Sequence, residues 1–354
     1  MIRTVHVVQS AQPECTGICR IIEGLAKHSA DYGYEILVLF LEDGPLKSKL
    51  SDAGISALVA PWRGTLLDPI GAIRVWSRLR RIRPSIVHIH WGGRKVRALC
   101  KASTGARIIQ HIHARIDEAT GAILHKINVA GSDAVIANSR VVADSIHGLK
   151  AEVIYAGIQS IQPPLPLAQY TGPLQIGVLS RLTPIKSVDS IIRAVARLRE
   201  LGITAQLTIA GRGPSESALR DLASTLGVMD RVSFLGWRTD VGQLLSAWDL
   251  LVIPSRDEGF GIAALEAMAR ARPVLGFSVG GLPEVVLDGV TGALVPPEDQ
   301  DALVRRLAEF SNDRVALAAL GQEGWRRANT DFSVETMAQH TAELYDRLLN
   351  RIAS

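Results

Sequence analysis

The chain has 354 residues, of which 47% are hydrophobic and 21% are charged, and its formal net charge at pH 7 is +4. This composition is typical of a folded globular protein of about two domains, and it excludes disordered and fibrous proteins. No apolar run approaches the ~20 residues that a membrane-spanning helix requires. The three cysteines cannot all be paired, and Val5–Val8 is a strand pattern rather than part of a signal peptide, so we expect a cytoplasmic protein.

The first half of the chain alternates short apolar strands with helical patterns. The spacing of Ile18, Ile21 and Leu25 predicts a helix over 17–30. The predicted strands are Val5–Val8, Ile36–Leu41, Ile86–Ile89, Arg107–His113 and Ala134–Ala137. Continuous apolar strands separated by helices indicate a parallel sheet that is covered on both faces.

A proline-rich stretch separates the two halves, with four prolines between Ser160 and Pro173 and no hydrophobic periodicity. Beyond it the pattern predicts strands over 174–179, 205–210, 232–235, 250–254 and 273–277, and helices over 187–200, 216–226 and 261–270. We therefore predict two doubly wound α/β domains, over 1–162 and 174–332, joined by a linker over 163–173. In such domains ligands bind at the carboxyl ends of the strands.

The densest chemical signal is the segment Glu258-Gly-Phe-Gly-Ile-Ala-Ala-Leu-Glu266, directly after the predicted strand that ends at Pro254. If a helix begins near Gly261, Glu258 lies in the loop before it and Glu266 lies more than one turn inside it. Eight residues of helix span ~12 Å, so the two carboxylates cannot act as one acid–base pair. They can hold two ends of an elongated ligand while the helix amino terminus faces an anion between them. An isolated pair of this kind is more often two glutamates without a shared role.

A second signal follows the predicted strand over 174–179. Arg181 comes directly after this strand, and Lys186 follows it by five residues, just before a predicted helix. Arginine supplies a planar pair of donors and lysine a point charge, a combination that suits a diphosphate. Two such cations before a helix are also common as solvated surface groups, so this interpretation depends on the neighbouring motifs.

Taken together, these segments resemble the retaining glycosyltransferases of family 4, which have the GT-B fold. In the second half the resemblance holds in order and spacing, through Ser180-Arg181-Leu182 with Lys186, Ala210-Gly-Arg-Gly213-Pro, Glu258-Gly-Phe-Gly with Glu266, Val279-Gly-Gly-Leu-Pro-Glu284 and Asp288-Gly-Val-Thr-Gly292. The first half matches more loosely, through Thr16-Gly17-Ile18, Gln110-His-Ile-His113, Ala134-Val-Ile-Ala-Asn-Ser139 and Val153-Ile-Tyr-Ala-Gly157. Thr16 stands where the family has a glycine, and Tyr155 and Ala156 replace its usual Pro-Asn.

The resemblance implies a role for each matching residue. Arg181 and Lys186 would neutralise the donor diphosphate and the charge that develops on the leaving group. Glu258 would contact the donor sugar, and Glu266 would hold the ribose hydroxyls. His113 would lie beside the reacting sugar. Further contacts with the donor, through glycines and backbone N–H groups, are expected from Gly17, Gly211, Gly213, Gly259, Phe260 and Gly261.

The activity implied by the resemblance is transfer of a sugar from a nucleoside diphosphate sugar, with UDP favoured, to a glycan, a lipid-linked glycan or a small glycoside. The first domain would bind the acceptor, and a C-terminal helix within 333–354 would cross back onto it. No nucleophile emerges for a double displacement, which favours front-face displacement with retention. No metal, cofactor or nucleic acid is expected. The alternatives are a GT-B-fold isomerase or phosphorylase, and a catalytically silent subunit that binds sugar nucleotide.

Two pairs of histidines offer a competing interpretation. His88 and His90 share one strand face, as do His111 and His113, because side chains repeat every two residues along a strand. If the two strands are neighbours, four imidazoles converge and could hold a metal ion. The alternative is that these histidines only line the ligand site.

Two other cofactor classes are disfavoured by the sequence. Cys15 and Cys19 lie four residues apart with no further cysteine nearby, which indicates apolar packing rather than a metal or cluster site. The loop after the first strand contains no Gly-x-Gly-x-x-Gly, and the segment from Gly211 lacks the third glycine. Both observations argue against a nicotinamide-dependent oxidoreductase.

A basic block lies between Pro69 and Ile116, where eleven Lys and Arg residues occur without any Asp or Glu. Such a block fits an anionic membrane or acceptor, or a solvated surface. A helix is predicted over 73–83. The apolar stripe expected against the sheet is Ile73, Trp76, Leu79 and Ile82, and the basic face is Arg74, Arg78 and Arg81. We therefore expect reversible electrostatic docking to the inner face of the membrane, without deep insertion.

Overall fold

A computed structural model describes residues 1–65, 67–90, 93–115, 129–146, 149–159 and 172–350. The chain divides into two compact units. Unit 1 comprises residues 1–157 and 334–354, and unit 2 comprises residues 158–333. The predicted linker lies outside the described residues over 163–171, as does Ile116 at the end of the basic block.

Unit 1 is built on a parallel sheet of seven strands. In chain order these are β1 (Ile2–Val8), β2 (Tyr34–Phe40), β3 (Ser56–Val59), β4 (Ile86–Ile89), β5 (Arg107–Ile112), β6 (Ala134–Ala137) and β7 (Glu152–Val153). Its helices include α1 (Thr16–Ser29), α2 (Pro45–Asp52), α3 (Pro69–Ile82), α4 (Arg94–Thr104) and α5 (Arg140–Asp144). In space the strands run β3-β2-β1-β4-β5-β6-β7, so β1 and β4 are neighbours although β2 and β3 separate them in the chain.

Unit 2 has a parallel sheet of six strands in the order β10-β9-β8-β11-β12-β13. The strands are β8 (Leu174–Leu179), β9 (Ala205–Ala210), β10 (Val232–Gly236), β11 (Leu250–Ile253), β12 (Val274–Phe277) and β13 (Gly292–Val295). The helices are α6 (Val188–Glu200), α7 (Glu216–Thr225), α8 (Val241–Ala247), α9 (Ile262–Met268), α10 (Leu282–Val285), α11 (Gln300–Asn312) and α12 (Arg314–Asp331). The predicted fold class, two α/β units with doubly wound parallel sheets, is confirmed.

The last helix, α13 (Val334–Leu348), belongs to unit 1. It packs on α1 at Gly24, where an added Cβ would lie 3.0 Å from Cε of Met337. The Tyr34 hydroxyl donates to the Asp346 carboxylate over 2.6 Å. The terminal helix thereby covers the sheet beside β1 and β2 with buried side chains that include Tyr345.

The sequence patterns do not predict β3, β7 or β13. All three lie at an edge of their sheet, although the side chains of β13 are mostly buried. The side chains of β3 and β7 are exposed or half-buried, and the two strands span only four and two residues, which is too short for a distinct strand pattern. Within the described residues, no helix is long and apolar enough to cross a membrane.

The prediction for the apolar stripe of α3 is wrong in part. Val75 and Leu79 are fully buried, and Ile82 packs against the core of unit 1. Ile73 and Trp76, in contrast, are 63% and 40% exposed. The buried positions follow a spacing of about four residues, whereas a spacing of three residues drifts away from the face that meets the sheet. The apolar groups at Ile73 and Trp76 are therefore not used by the core.

Candidate active site

The first part of the candidate site is the loop that follows β8. Arg181 is exposed at its start, and Lys186 ends a short 3-10 turn over Pro184–Lys186 just before α6. The loop is held by backbone hydrogen bonds, including Leu182 N–H to the carbonyl of Arg212 over 2.9 Å. Among the described residues, the guanidinium of Arg181 makes no ion pair, so its charge is available to a ligand.

Gly211 and Gly213 lie directly against this loop. A Cβ on Gly211 would come within 1.7 Å of the carbonyl oxygen of Ser180, and one on Gly213 within 2.2 Å of that of Leu182. Gly211 also has a φ of 151°, which side chains rarely adopt. These glycines therefore fix the loop that carries Arg181, a role that close backbone packing explains without any ligand.

The second part of the site is the loop between β11 and α9, which carries Glu258. Because β11 pairs with β8, the loops after these strands lie side by side. Lys186 Nζ donates to Glu258 Oε2 over 2.6 Å, and the hydroxyl of Ser255 lies 3.3 Å from the same oxygen. The side chains of Lys186 and Glu258 are 16% and 17% exposed, so the ion pair is half-buried and can still reach solvent.

Two glycines after β12 pack against the backbone of the Glu258 loop. The N–H of Gly281 donates to the carbonyl of Glu258 over 2.7 Å. A Cβ on Gly280 would lie 2.0 Å from that carbonyl oxygen, and one on Gly281 would lie 2.4 Å from the carbonyl oxygen of Gly259. Gly280 and Gly281 lie in the segment 279–284, which the sequence singles out only through its resemblance to the family. Their close backbone contacts position the loop that carries Glu258.

Helix α9 carries Glu266, which is buried in its second turn. Gly261 precedes the helix with a φ of 100°, a conformation that favours glycine. The side chain of Phe260 is buried and packs edge-on against Phe332 at 5.8 Å between ring centroids. Only the backbone of Phe260 therefore remains for the ligand contact that the sequence predicts.

The two site residues predicted in the first half lie in unit 1. Gly17 is half-buried in the first turn of α1, beside Thr16, whose hydroxyl donates to the carbonyl of Pro13 over 2.6 Å. His113 follows β5, and its carbonyl accepts a hydrogen bond from Asn138 Nδ2 over 3.0 Å. The structure thus brings Arg181, Lys186 and Glu258 onto two adjacent loops of unit 2, while Gly17 and His113 belong to a different unit.

The two histidine pairs do converge, because β4 and β5 are paired strands. A fifth histidine, His6 on β1, joins them. Burial lowers the pKa of His6 and of His113 to about 3. Burial, with a smaller contribution from the neighbouring imidazoles, also lowers the pKa of His88, His90 and His111 well below the usual value. The sequence analysis did not include His6, because the pattern of residues does not show that β1 lies beside β4 in the sheet.

Comparison with known proteins gives family matches over both units. Residues 166–327 match the family described as "Glycosyl transferases group 1", and residues 16–160 match "Glycosyltransferase Family 4". The matched regions contain all of the predicted site residues, from Gly17 to Glu266.

Two curated relatives illustrate the similarity in sequence. The D-inositol 3-phosphate glycosyltransferase of Streptomyces avermitilis is 41% identical over 180 residues, which cover 47% of this chain and 38% of that protein. The glycogen synthase of Mycobacterium tuberculosis is 30% identical over 303 residues, which cover 80% of this chain and 72% of the relative.

A solved structure shows the similarity in fold. The Anabaena protein Alr3699/HepE, crystallised with UDP and glucose, superposes with a TM-score of 0.85 at 24% identity, over 98% of this chain and all of that one (100%). At this identity the match shows that the two chains share a fold.

Proposed function

This chain belongs to glycosyltransferase family 4, with the GT-B fold, and from that premise we propose that it transfers a sugar from a nucleoside diphosphate sugar to an acceptor hydroxyl with retention of anomeric configuration. Unit 2 binds the donor, and unit 1 binds the acceptor. The donor nucleotide is UDP, in keeping with the UDP bound by the Anabaena protein of the same fold.

The observation that carries this proposal is the Lys186–Glu258 pair. One N–H of Lys186 reaches Glu258, and its other two have no acceptor among the described residues. Glu258 accepts at Oε2, and its Oε1 receives no hydrogen bond from the described part of the chain. The pair therefore presents unused donors beside an unused acceptor, which suits a phosphate oxygen next to a sugar hydroxyl.

The remaining residues complete the donor site. Arg181 supplies a second cation on the loop that holds Lys186, and Glu266 takes the ribose hydroxyls. Gly259, with the backbone N–H groups of Phe260 and Gly261, lets the donor lie close to the chain. Gly17 provides the corresponding close backbone contact from unit 1.

In the reaction, the bond between the anomeric carbon and the phosphate oxygen breaks while the acceptor oxygen bonds to the same carbon on the same face. The acceptor proton passes to the departing phosphate oxygen, so no protein base is required, and the direct displacement requires no protein nucleophile. Arg181 and Lys186 stabilise the negative charge that accumulates on the leaving diphosphate. His113 contacts the donor sugar from unit 1.

The relatives support a broad class of acceptor. The two curated names are those of a glycogen synthase and of an inositol phosphate glycosyltransferase, so related chains act on glycans and on small hydroxylated molecules. We propose a glycan, a lipid-linked glycan or a small glycoside as the acceptor, in polysaccharide, glycolipid or glycoside biosynthesis in the cytoplasm.

A donor screen tests the proposed function. Purified protein is heated with UDP, GDP or ADP and with their sugars, and the melting temperature is recorded. UDP and one UDP-sugar are expected to raise it most, because a ligand that binds only the folded state stabilises it. A shift without nucleotide release in the presence of mixed acceptors contradicts transfer and leaves a silent subunit that binds sugar nucleotide. Absence of any shift contradicts the donor site itself.

Product analysis separates transfer from the related chemistries. A transferase requires an acceptor and releases nucleoside diphosphate. An isomerase converts the sugar nucleotide without an acceptor, and a phosphorylase requires inorganic phosphate. Turnover that is independent of any added acceptor would replace the transferase proposal with an isomerase.

Metal independence is the first testable consequence. We expect turnover in EDTA to equal turnover in Mg²⁺ or Mn²⁺, because Arg181 and Lys186 carry the positive charge that a divalent ion would otherwise supply. The measurement is the initial rate of nucleotide release with chelator and after re-addition of each ion. We call Arg181 and Lys186 together the diphosphate clamp. Activity that is lost in EDTA and restored by Zn²⁺ or Mn²⁺ contradicts the proposed role of this clamp and points to a metal site at the histidines of unit 1.

A contact with an anionic membrane surface through α3 belongs to the same proposal. Arg74, Arg78 and Arg81 are exposed on α3 and form no ion pair among the described residues. Two other cations of the basic block, Lys101 and Arg107, both pair with Asp133. Helix α3 therefore presents an exposed basic face without paired acidic side chains among the described residues.

The structure adds an apolar component to this surface. Leu67 and Ile70 are exposed near the start of α3, as are Ile73 and Trp76 further along the helix. Apolar side chains beside arginines are typical of a helix that lies in the interface of an anionic bilayer. We therefore propose electrostatic docking without deep insertion, to which these apolar side chains add a shallow contact.

Vesicle sedimentation tests this surface. We expect binding to anionic vesicles that weakens as salt rises, because each Arg near such a surface contributes about 1 kcal/mol and salt screens it beyond ~8 Å. The double variant I73S/W76S is expected to bind at least about thirtyfold more weakly, since burying each large apolar side chain contributes roughly 1 kcal/mol or more and the two together contribute roughly 2 kcal/mol. V315S is the matched control, because Val315 is 79% exposed in unit 2.

Two outcomes contradict the membrane proposal. One is equal binding to neutral and anionic vesicles. The other is no binding to anionic vesicles at low salt. In either case the exposed arginines are left to the acceptor or to solvent.

A further inference from the structure

Unit 1 contains a row of imidazoles that the proposed reaction does not require as a group. We define the histidine cluster as the five histidines on or directly after β1, β4 and β5. Its members are His6, His88, His90, His111 and His113. All are buried except His113, which is half-buried at the end of the row.

The cluster consists of two rows in which the rings meet end to end. In the first row, His6 Nδ1 lies 2.8 Å from His90 Nε2, and His90 Nδ1 lies 3.0 Å from His113 Nε2. In the second row, His88 Nε2 lies 3.1 Å from His111 Nδ1. The rows stack on each other, with the His88 and His90 rings 4.5 Å apart and inclined by 4°.

A phenol joins the two rows. The hydroxyl of Tyr345, on α13, lies 2.7 Å from His88 Nδ1 and 3.3 Å from His6 Nε2. The contacts therefore form one continuous chain of five imidazoles and one hydroxyl. Its order is His111, His88, Tyr345, His6, His90 and His113.

Neutral imidazoles can satisfy this chain in only two ways. Each neutral ring has one N–H donor and one acceptor nitrogen, and the phenol has one O–H donor. Every contact needs one hydrogen, so all the hydrogen bonds must point in the same direction along the chain. Either Nδ1 carries the proton in all five rings, or Nε2 carries it in all five.

The His111 end of the hydrogen-bonded chain decides between the two arrangements. His111 Nε2 is buried and has no hydrogen-bond partner among the described residues. If it were protonated, a buried N–H would have no acceptor, and orphaned N–H groups are rarer in proteins than under-used acceptors. A lone pair at this nitrogen is therefore favoured, and the direction of the whole chain follows from it.

We propose that the histidine cluster and Tyr345 form a directional hydrogen-bonded chain that holds His113 as the Nδ1–H tautomer. The consequence, which rests on the proposed function, is that His113 presents a fixed N–H donor to an oxygen of the donor sugar. His6, His90 and Tyr345 are positioning residues for His113, because they determine which of its nitrogens carries the proton.

The ring geometry favours this chain over a metal site. Zn²⁺ binds imidazole nitrogen at ~2.0–2.1 Å with tetrahedral geometry, so two ligand nitrogens lie ~3.3 Å apart and aim their lone pairs at the ion, not at each other. The facing nitrogens here are 2.8, 3.0 and 3.1 Å apart, which are hydrogen-bond distances. The nearly parallel rings of His88 and His90 cannot both direct a lone pair at one ion unless they rotate.

Nitrogen NMR of the unliganded chain tests the proposal. Long-range ¹H–¹⁵N correlation spectra of protein labelled with ¹⁵N-histidine distinguish the two neutral tautomers. Five rings are expected as Nδ1–H, each assigned by its absence from the spectrum of a His→Gln variant. Nε2–H or averaged signals for His113 overturn the proposal, as does one bound metal ion per chain by elemental analysis. The spectrum needs no substrate, so its outcome is independent of the donor and the acceptor.

A pair of tyrosine variants distinguishes an effect of the hydrogen-bonded chain from an effect of general packing. Tyr345→Phe removes the hydroxyl that joins the rows, and His113 is then expected to show a mixture of tautomers. If His113 contacts the sugar, kcat is expected to fall about threefold to tenfold with little change in KM for the nucleotide, the loss of one hydrogen bond. Tyr34→Phe is the matched control, since Tyr34 bonds to Asp346 outside the chain. An unchanged His113 tautomer in Tyr345→Phe contradicts the positioning role.

Discussion

Replacing Arg181 or Lys186 by alanine is expected to lower kcat/KM roughly 30- to 1,000-fold. In the proposed reaction each cation stabilises the diphosphate as it leaves, and the loss of one such group costs about 2–4 kcal/mol of transition-state stabilisation. Lys186→Ala is expected to have the larger effect, because it also leaves the Glu258 carboxylate without its partner at 2.6 Å. The measurement is nucleotide release at saturating acceptor.

Arg193→Ala is the matched control for the clamp. Arg193 is an exposed arginine on α6 of the same unit, and it has no ion pair among the described residues. Its loss is expected to leave the rate unchanged. Circular dichroism and the melting temperature establish that each variant is folded. Near-full turnover of Arg181→Ala or Lys186→Ala means that the replaced cation does not act on the donor.

Unit 1 is expected to unfold in mild acid, between about pH 6 and pH 5, while unit 2 stays folded. The unfolded chain protonates its histidines below a pKa of about 6.5, whereas burial lowers the pKa of His6 and of His113 to about 3 in the folded state. Between these values the unfolded state binds more protons, so the free energy of unfolding falls as the pH falls.

The expected size of this effect is large. Each buried neutral histidine lowers the free energy of unfolding by about 1.4 kcal/mol per pH unit in this range. The whole histidine cluster therefore gives up to about 7 kcal/mol per pH unit, comparable with the ~5–15 kcal/mol stability of a typical domain. Unit 2 contains none of these histidines.

Hydrogen exchange followed by mass spectrometry reads the two units separately. After correction for the intrinsic pH dependence of exchange, peptides from β1, β4 and β5 are expected to lose protection near about pH 5, while peptides from β8 and β11 keep it. His111→Gln is expected to reduce the slope of stability against pH by about one proton. Full protection of unit 1 at about pH 5 contradicts neutral burial of the cluster.

Much of the proposed donor site is visible in the sequence, because it lies in short segments next to strands. Arg181 and Lys186 are five residues apart, and Glu258 to Glu266 is one uninterrupted motif. Their chemistry and their resemblance to a family are therefore local properties of the chain. The pairing of Lys186 with Glu258 is not local, since it depends on β8 and β11 being neighbours in the sheet.

The α3 surface shows a second limit of sequence patterns. Apolar residues at Ile73 and Trp76 are compatible with a buried stripe, and only the direction from which the sheet meets the helix decides that Val75 and Leu79 are buried instead. Helical periodicity gives the faces of a helix, but it does not identify the face that packs.

The sequence by itself determined the class of the fold, the motifs of the proposed donor site and the two histidine pairs. Apolar runs specify strands, and glycines and charged residues after them specify loops, because these preferences act over a few residues. Only the tertiary structure decided that His6 and Tyr345 complete the histidine cluster. His6 reaches it because β1 pairs with β4, and Tyr345 because α13 returns to unit 1 from the far end of the chain. Both contacts depend on the order in which strands and helices assemble, and burial of the whole core determines that order rather than any local run of residues.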